Sequence, residues 1–505
     1  MTVGQHNLAR LSEETFERLG DFESLFFEGE THRSSQLFER GRRLAGGLIE
    51  LGIAPGDRVV VMMANCPEVP IAYQALWRAG AAITPAIFLL PPDELRHLIT
   101  DSEAKAVVCT PEFLDTVMTA SSDVDTLKWI VSVGPEADGV IPLASLEAAD
   151  PAPIVPRSDD DMAALMYTGG TTGRAKGVML SHSNLWFTGK NAHDASTVPG
   201  VNRGLSPLPL SHSYGLIVTV VGLHATEPGF GVLMRWFDPT GWLELVQEHR
   251  IQLSAVVPSM IQMLLALPVE DYDLSSLQYL VSGAAPLPAE VANEFRRRIP
   301  GVELREGYGL TESSAVISAN PPGAARFGSI GRPIPGCEVR IVDEDDRPLG
   351  AGEIGEICAR SPGIMLGYWK SPELTADVTR GGWLHTGDMG YLDEDGYLWI
   401  VDRKKDLIIR GGFNVYPRDV EDVLLEYPSV SAAGVVGRPD EKLGEEVVAF
   451  VATTAETDPD DVIAFVKGKL GGYKYPREVH VIPNAPLTPV GKIDRKALRD
   501  MLPTA

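Results

Sequence analysis

The stretch Met-Tyr-Thr-Gly-Gly-Thr-Thr-Gly-Arg-Ala-Lys-Gly, residues 166–177, follows an apolar run and is rich in glycine and hydroxyl groups. The run Met162–Met166 predicts a buried strand. Glycines let a backbone approach an anion closely, and hydroxyls and a lysine add donors to such a concave site. Lys176 follows Gly173 by three residues without a Gly-Lys-Ser/Thr triplet, so this is not a Walker A loop. The stretch predicts a phosphate-binding loop; a glycine loop without a ligand is the alternative.

Length and charge restrict the class of protein. The 505 residues are too many for one hydrophobic core, so we expect two or more domains. The 69 acidic and 44 basic residues give a net charge of −25. This acidity argues against nucleic acid or an anionic membrane as a main partner.

The cysteines and the apolar runs indicate the cellular compartment of the protein. Cys66, Cys109, Cys337 and Cys358 show no Cys-x-x-Cys spacing, so neither zinc nor a disulfide framework is indicated. No signal peptide is visible after Met1, and no apolar stretch reaches the roughly 20 residues of a membrane span. We expect a cytoplasmic protein without an integral membrane segment. Whether it is a monomer or a homodimer is left open.

Strands and helices alternate through the first 310 residues. A helical pattern over 34–51 is followed by a short β-branched run over 58–63. The same rhythm continues through 67–109 and returns over 242–311. Such alternation predicts right-handed βαβ units and a parallel sheet. Residues Pro207–Leu216 predict a strand end that runs into a loop.

The pattern changes after about Ser329. Short alternating segments separated by Gly and Asp turns predict an antiparallel sheet or small barrel over about 330–401. The last hundred residues predict a separate α+β module. The predicted fold class is α/β, with a large N-terminal domain (1–404) of βαβ-layered parallel sheets that includes the barrel-like subdomain, and a small C-terminal domain (405–505).

Two stretches after predicted strands carry side chains suited to nucleotides. In Tyr308–Glu312, a hydroxyl, a glycine and a carboxylate lie where ligands bind in an open parallel sheet, and Glu312 could hold Mg²⁺ beside phosphate oxygens. In Leu384–Asp388, the carboxylate of Asp388 could accept hydrogen bonds from two vicinal ribose hydroxyls. Each stretch alone is equally well an ordinary turn.

Three other features are ambiguous by themselves. The charged stretch Asp402–Asp406 is either a solvated linker or a hinge. Lys492, on a loop shaped by Pro489 and Gly491, is either a surface lysine or a catalytic one. His212, between two serines, is either structural or part of a pocket.

Taken together, in this order and at these intervals, the motifs resemble those of the adenylate-forming (AMP-binding) enzymes. This superfamily comprises acyl- and aryl-CoA synthetases, carrier-protein-loading adenylation domains and firefly-type luciferases. The resemblance covers about Ser34 to Leu498 and is greatest to stand-alone acyl-CoA synthetases. It implies ATP-dependent activation of a carboxylic acid to an acyl-adenylate with release of pyrophosphate. Transfer to CoA then gives an acyl-CoA thioester and AMP, the reaction of an acid–thiol ligase that uses ATP, Mg²⁺ and CoA.

The resemblance also assigns the nucleotide contacts. ATP phosphates would bind to Thr168, Gly169, Gly170, Thr171, Thr172, Gly173 and Lys176. The chain departs from the family pattern at Gly169, where serine is usual, and at Ala175, where proline is usual. The adenosine and α-phosphate would lie against Gly283, Ala284, Ala285, Glu306, Gly307, Tyr308 and Thr311. Glu312 would be the Mg²⁺ ligand, and Asp388 and Arg403 would contact the ribose.

The resemblance assigns the remaining residues to catalysis, to domain rotation and to binding of the acid. Lys492 would bridge the carboxylate and the α-phosphate in the first half-reaction. The C-terminal domain would then rotate about a hinge at Lys405, so that Gly411 and Gly412 line a pantetheine channel. The acid would occupy a pocket lined by His212, Tyr214, Gly283, Gly309 and Ala315, with His212 also a candidate catalytic residue. The small residues suggest a deep pocket, suited to a medium or long fatty acid or an aryl acid.

Two alternative functions are kept open. An enzyme of the same first step could use a carrier-protein thiol, an amine or an inorganic nucleophile as acceptor. A catalytically silent nucleotide-binding regulator is disfavoured, because Glu312, Asp388, Arg403 and Lys492 are all present.

Overall fold

The computed structural model describes residues 2–168, 175–487 and 493–502. The chain divides into two compact units. The first consists of Met1–Ala284, Phe295–Glu338 and Ala359–Leu384, and the second of Ala285–Glu294, Val339–Cys358 and His385–Ala505.

The largest sheet of the first unit has nine strands. In order across the sheet they are β16 (Arg332–Pro333), β15 (Ser318–Ala319), β14 (Glu303–Tyr308), β13 (Tyr279–Ser282), β12 (Leu253–Val256), β10 (Arg203–Ser206), β11 (Phe230–Leu233), β1 (Glu23–Phe27) and β2 (Glu30–Arg33). The strands from β14 to β1 are parallel to their neighbours, whereas β2, β15 and β16 pair antiparallel at the two margins.

The second sheet of this unit has eight strands. In order they are β19 (Gly367–Tyr368), β9 (Lys176–Ser181), β8 (Met162–Thr168), β4 (Ala82–Pro85), β3 (Arg58–Met62), β5 (Ala106–Cys109), β6 (Trp129–Ser132) and β7 (Ile141–Pro142). Val59 and Val61 of β3 belong to one hydrophobic cluster, and Val60 and Met62 to another. Both faces of this strand are therefore buried, which explains its continuous apolar sequence.

Fifteen helices are described in these residue ranges. They are α1 (Leu8–Leu19), α2 (Ser34–Glu50), α3 (Glu68–Arg78), α4 (Pro92–Ser102), α5 (Leu114–Ser121), α6 (Leu143–Leu146), α7 (His182–Ser196), α8 (Ser213–Leu223), α9 (Pro239–His249), α10 (Pro258–Leu265), α11 (Ala289–Arg298), α12 (Pro372–Val378), α13 (Pro417–Leu425), α14 (Pro459–Lys467) and α15 (Arg495–Asp500). In the part of the chain that the structure describes, none of them is both long and apolar enough to cross a membrane.

The second unit contains two smaller sheets. The β-rich part is a four-stranded sheet in the order β17 (Glu338–Val342), β18 (Gly355–Arg360), β20 (Leu384–Leu392) and β21 (Leu398–Arg403). The C-terminal part has the order β23 (Phe413–Val415), β22 (Ile408–Arg410), β25 (Gly444–Thr453) and β24 (Val430–Asp440), with β26 (Glu478–Ile482) parallel to β25. Helices α13 and α14 bury Val420, Leu424, Val462 and Val466 in the core of this second sheet.

The predicted α/β class, with parallel sheets first and an α+β module last, is confirmed. The predicted domain boundary between residues 404 and 405 is defined by an expected rotation of the C-terminal domain, not by compactness. This boundary stays a prediction. The prediction for Pro207–Leu216 was wrong at both ends, because β10 already ends at Ser206 and α8 begins at Ser213. Here the Nδ1 atom of His212 caps the helix by accepting the Tyr214 backbone N–H at 3.3 Å. Eleven mostly apolar residues in α8 lack the polar face that signals a surface helix.

Candidate active site

The carboxyl ends of β10, β12, β13 and β14 meet at one edge of the nine-stranded sheet, because these strands are parallel. Side chains of the segments after β10 and β14 touch there, since the Oγ1 atom of Thr311 lies 3.3 Å from the Oγ atom of Ser213. Gly283 follows β13 and Gly309 follows β14. Several predicted site residues of the first unit are therefore gathered where an open parallel sheet binds its ligands.

Glu312 is held by a tyrosine that the motifs did not reveal. It lies in a 3₁₀ turn, Thr311–Ser313, and its Oε1 atom accepts a 2.8 Å hydrogen bond from the Tyr368 hydroxyl. Burial, followed by the charge and hydrogen bond of Glu312, raises the pKa of Tyr368, so the hydroxyl stays a donor at neutral pH. The ammonium of Lys176 lies 5.8 Å from the centre of the same ring. Tyr368 thus joins the carboxylate to the lysine that ends the glycine loop.

Backbone hydrogen bonds tie the same three segments together. The N–H of Met365 donates to the carbonyl of Glu312 at 2.8 Å, and the N–H of Trp369 donates to the carbonyl of Gly177 at 2.7 Å. A Cβ atom on Gly177 would lie 2.9 Å from Leu165 and 3.1 Å from Trp369, so a larger residue does not fit without a shift. The segment around Tyr368 therefore fixes β9 relative to Glu312.

The donor set around Glu312 fits magnesium bound together with a nucleotide. Among the described residues, no group of three or more His, Cys, Asp or Glu could hold a metal by itself. Magnesium commonly binds one or two carboxylates together with substrate phosphates, and it keeps several waters. Glu312 supplies one carboxylate, and Tyr368 orients it through one oxygen. This arrangement suits an ion that arrives with ATP rather than a protein cage.

The predicted acid pocket has one rigid wall. The hydroxyl of Tyr214 donates to the carbonyl of Val281 at 2.9 Å, and burial raises the pKa of this phenol. A Cβ atom on Gly283 would lie 3.2 Å from the Tyr214 ring, so the ring rests on this glycine. A Cβ atom on Gly309 would lie only 2.1 Å from the carbonyl oxygen of Ala315. Glycine at 309 is therefore required by the fold, and its small size is not by itself evidence of a deep pocket.

Three non-glycine residues around this edge have left-handed backbone conformations. The φ angles are +66° at Ala284, +53° at Ser314 and +80° at Ala315. Such conformations cost about 1–3 kcal/mol each and cluster at ligand sites. Their presence next to Gly283 and Gly309 supports a binding role for these turns.

The end of β14 is held in part through its backbone. Gly307 and Tyr308 pair with Ala319 and Ser318 of β15. Glu306 is buried, and its Oε1 atom accepts the N–H of Gly328 at 3.2 Å. The carboxylate of Glu306 thus stabilises a neighbouring turn, which is a structural role in addition to the predicted nucleotide contact.

In the second unit, the two predicted ribose contacts are neighbours. Asp388 and Arg403 are directly opposite each other on β20 and β21, and Oδ1 of Asp388 lies 3.3 Å from Nε of Arg403. Lys405 lies in a 3₁₀ turn, Lys404–Asp406, where burial and then the charge of Arg403 lower its pKa. Gly411 and Gly412 form the turn between β22 and β23, with φ angles of +60° and +83°.

The structure does not test the predicted roles of the glycine stretch and of Lys492. Thr168, the last residue of β8, pairs antiparallel with Lys176, the first residue of β9. Gly169, Gly170, Thr171, Thr172, Gly173 and Lys492 lie outside the described residues. Ala285 belongs to the second unit, whereas Gly283 and Ala284 belong to the first.

Comparison with known proteins identifies the class. Residues 12–369 match the AMP-binding enzyme family, and residues 419–492 match the AMP-binding enzyme C-terminal domain. The chain therefore belongs to the AMP-binding enzyme family, as the motifs predicted.

Individual relatives span nearly the whole chain. A feruloyl-CoA synthase from an Amycolatopsis species is 37% identical over 471 residues, which cover 92% of this chain and 93% of the relative. A long-chain-fatty-acid–CoA ligase from Bacillus subtilis is 35% identical over 518 residues, which cover 95% and 92%. ATP-bound MatB from Rhodopseudomonas palustris has the same fold, with a TM-score of 0.89 and 33% identity over 97% of this chain and 98% of that one.

These similarities confirm the predicted enzyme class. The chain is an AMP-forming acid–thiol ligase of the acyl-CoA synthetase type, with ATP, Mg²⁺ and CoA as the small molecules of its reaction. The roles of individual site residues rest on the geometry above and on the motifs, and they stay predictions.

Proposed function

We propose that this protein activates an apolar carboxylic acid, aliphatic or aryl, by adenylation and passes the acyl group to CoA. The observation that carries this proposal is the position of Glu312 and Thr311 at the carboxyl ends of parallel strands, with Tyr368 orienting the carboxylate. The predicted phosphate-binding stretch is followed by β9, and the ammonium of Lys176, the first residue of β9, lies near the ring of the same tyrosine.

The chemistry explains why these residue types are present. A carboxylate is a poor acyl donor, so its oxygen first attacks the α-phosphorus of ATP, and pyrophosphate leaves. Negative charge develops on phosphate oxygens in this step, and fixed positive charges and hydrogen-bond donors stabilise it. Glu312 would hold magnesium, which would supply further charge neutralisation. Lys176 and the hydroxyl of Thr311 bind phosphate oxygens in this proposal, and Asp388 and Arg403 position the ribose.

The thiol of CoA then attacks the acyl carbon of the adenylate, which forms the thioester and releases AMP. The acid lies against Tyr214 and Gly283. We expect Tyr214 to present its ring rather than a free donor to the acid, because its hydroxyl is already bonded to the Val281 carbonyl. A feruloyl-CoA synthase and a fatty-acid ligase are both among the relatives, so both aryl and aliphatic acids belong in the test.

The proposal is tested by ATP–pyrophosphate exchange with a panel of aliphatic, cinnamic and benzoic acids, followed by AMP release with and without CoA. We expect exchange with apolar acids and AMP turnover that requires CoA. Pyrophosphate exchange combined with AMP release only in the presence of an amine or a carrier protein would show that this acceptor, and not CoA, is used. No exchange with any acid would favour the silent regulator.

We infer that Lys405 is a hinge between the two half-reactions. Proline at this position fixes φ and restricts the preceding residue. Lys405→Pro is expected to slow thioester formation from supplied acyl-adenylate by about tenfold or more while adenylation changes little. Lys405→Ala, which leaves the backbone free to rotate, is the matched control. Rapid-quench measurement of both half-reactions checks the prediction, and unchanged CoA-dependent turnover in the proline variant would contradict it.

A cytoplasmic location is proposed from the cysteines. All four are free thiols, and Cys66, Cys109 and Cys358 are buried. Free thiols are typical of reducing compartments. Cell fractionation with an antibody to the protein tests this, and recovery from an oxidising compartment would contradict it.

A further inference from the structure

A buried carboxylate in the second unit contacts both sides of the predicted ribose site. Glu356 lies on β18, and its side chain is only 6% exposed. Its Oε1 atom accepts the backbone N–H of Gly387 at 3.1 Å, and its Oε2 atom accepts the ammonium of Lys404 at 3.0 Å. These two partners immediately precede Asp388 on β20 and immediately follow Arg403 on β21.

The first contact fixes the backbone in front of Asp388. Gly387 lies inside β20 and has a φ angle of +71°, a left-handed conformation that favours glycine. The Thr386 hydroxyl donates to the carbonyl of Ile357 at 2.7 Å and accepts the N–H of Asp388 at 3.1 Å. The part of β20 that precedes Asp388 is therefore attached to β18 at two successive residues, Glu356 and Ile357.

The second contact fixes the backbone after Arg403. Lys404 reaches from the end of β21 to Glu356, which is two strands away in the sheet. Burial opposes the charged form of Glu356, but the hydrogen bonds and charges of Lys404 and His385 together outweigh it, so the pKa of Glu356 is lowered. The carboxylate is thus ionised at neutral pH and holds the lysine on the same side of β20 as itself.

A histidine and a cysteine extend the cluster. The Nδ1 atom of His385 lies 3.4 Å from Glu356 and 3.3 Å from the Sγ atom of Cys358. Cysteine, histidine and carboxylate together resemble a nucleophilic set, but Cys358 is 0% exposed and His385 is 7% exposed. A substrate carbonyl cannot reach this thiol, so the cluster serves to hold its neighbours in place.

We propose that Glu356 is a positioning residue for ATP, which holds Asp388 and Arg403 in the arrangement that binds the ribose hydroxyls. The proposal rests on the proposed ribose role of Asp388. The proposal adds two residues to the site. The Glu356 carboxylate touches no substrate, and Lys404 influences Arg403 because the two residues are adjacent in the backbone.

The test compares ATP with 2′-deoxy-ATP and 3′-deoxy-ATP in pyrophosphate exchange. Glu356→Gln keeps an oxygen for Gly387 but removes the charge that holds Lys404. We expect it to lower kcat/KM for ATP about tenfold, as loss of a charged hydrogen bond does, with an unchanged KM for the acid. We expect a loss of about threefold or less with the deoxy analogue that lacks the contacted hydroxyl, because that contact is already absent.

Two further variants separate positioning from folding. Lys404→Met removes the same ion pair by changing its exposed partner, since 47% of the lysine side chain is accessible. Like Glu356→Gln, it should reduce the discrimination between ATP and the deoxy analogues. Arg347→Met removes an exposed cation paired with Asp345 in the same unit, and it should leave discrimination unchanged. If Glu356→Gln does not fold, as judged by circular dichroism, Lys404→Met carries the test.

The outcomes distinguish this proposal from the one on which it rests. Asp388→Asn should also reduce discrimination. Equal losses with all three nucleotides in Glu356→Gln and Lys404→Met, while Asp388→Asn is selective, would overturn the positioning role alone. Equal losses in Asp388→Asn as well would overturn the ribose role together with it.

Discussion

Replacement of Lys492 by alanine is expected to abolish adenylate formation and to spare thioester formation from a supplied acyl-adenylate. In the proposed mechanism, the ammonium neutralises charge shared by the attacking carboxylate and the α-phosphate, and this charge is present only in the first half-reaction. Removal of one such group typically costs about 10²–10³ in rate. Pyrophosphate exchange measures the first half-reaction, and single-turnover thioester formation from synthetic acyl-adenylate and CoA measures the second.

A matched control lies four residues away. Lys496 is exposed on α15, and Lys496→Ala should leave both half-reactions unchanged. Equal loss of both half-reactions in Lys492→Ala, with an intact fold, would show that the lysine supports the domain rather than the adenylation step.

Glu312→Gln is expected to reduce adenylation by about 10²–10³, because the variant loses the charge that binds magnesium. The amide oxygen can still accept the Tyr368 hydroxyl, so the turn should keep its shape. The magnesium concentration for half-maximal activity should rise in parallel. Pyrophosphate exchange over a magnesium titration measures both effects.

Tyr368→Phe is the comparison for that experiment. It keeps the ring beside Lys176 and removes only the hydroxyl, so a loss of about tenfold is expected, as for one hydrogen bond to a charged group. A Glu312→Gln enzyme with normal magnesium dependence would refute the metal role. A Tyr368→Phe loss as large as that of Glu312→Gln would instead make the tyrosine itself a catalytic residue.

The fold was predictable where apolar pattern and secondary structure agree. The β-branched run at Val59–Val61 and the helix after it could be recognised because burial on both faces leaves a continuous apolar signal. Helix α8 was missed because Ser213–Leu223 has no polar face. The hairpin partner β9 was also missed, since its residues Lys176–Ser181 follow a glycine stretch that dominates the local pattern.

The sequence indicates site residues most directly where they belong to one short motif. Thr311 and Glu312 share one motif, and Asp388 follows Thr386 and Gly387 in another. Tyr368 contacts Glu312 across 56 residues, and Glu356 contacts Lys404 across 48. No local pattern encodes such pairs, because they arise from the order of strands in a sheet.

The attachment of β9 to the segment around Tyr368 has a consequence for how this enzyme can change. The predicted nucleotide half of the site depends on backbone contacts, and a side chain on Gly177 would require Leu165 or Trp369 to shift. The predicted acid half depends on the Tyr214 side chain, which projects from a helix and is held by one hydrogen bond. If these predicted roles hold, we expect new acid preferences to evolve by side-chain replacement on α8 while the ATP contacts stay the same.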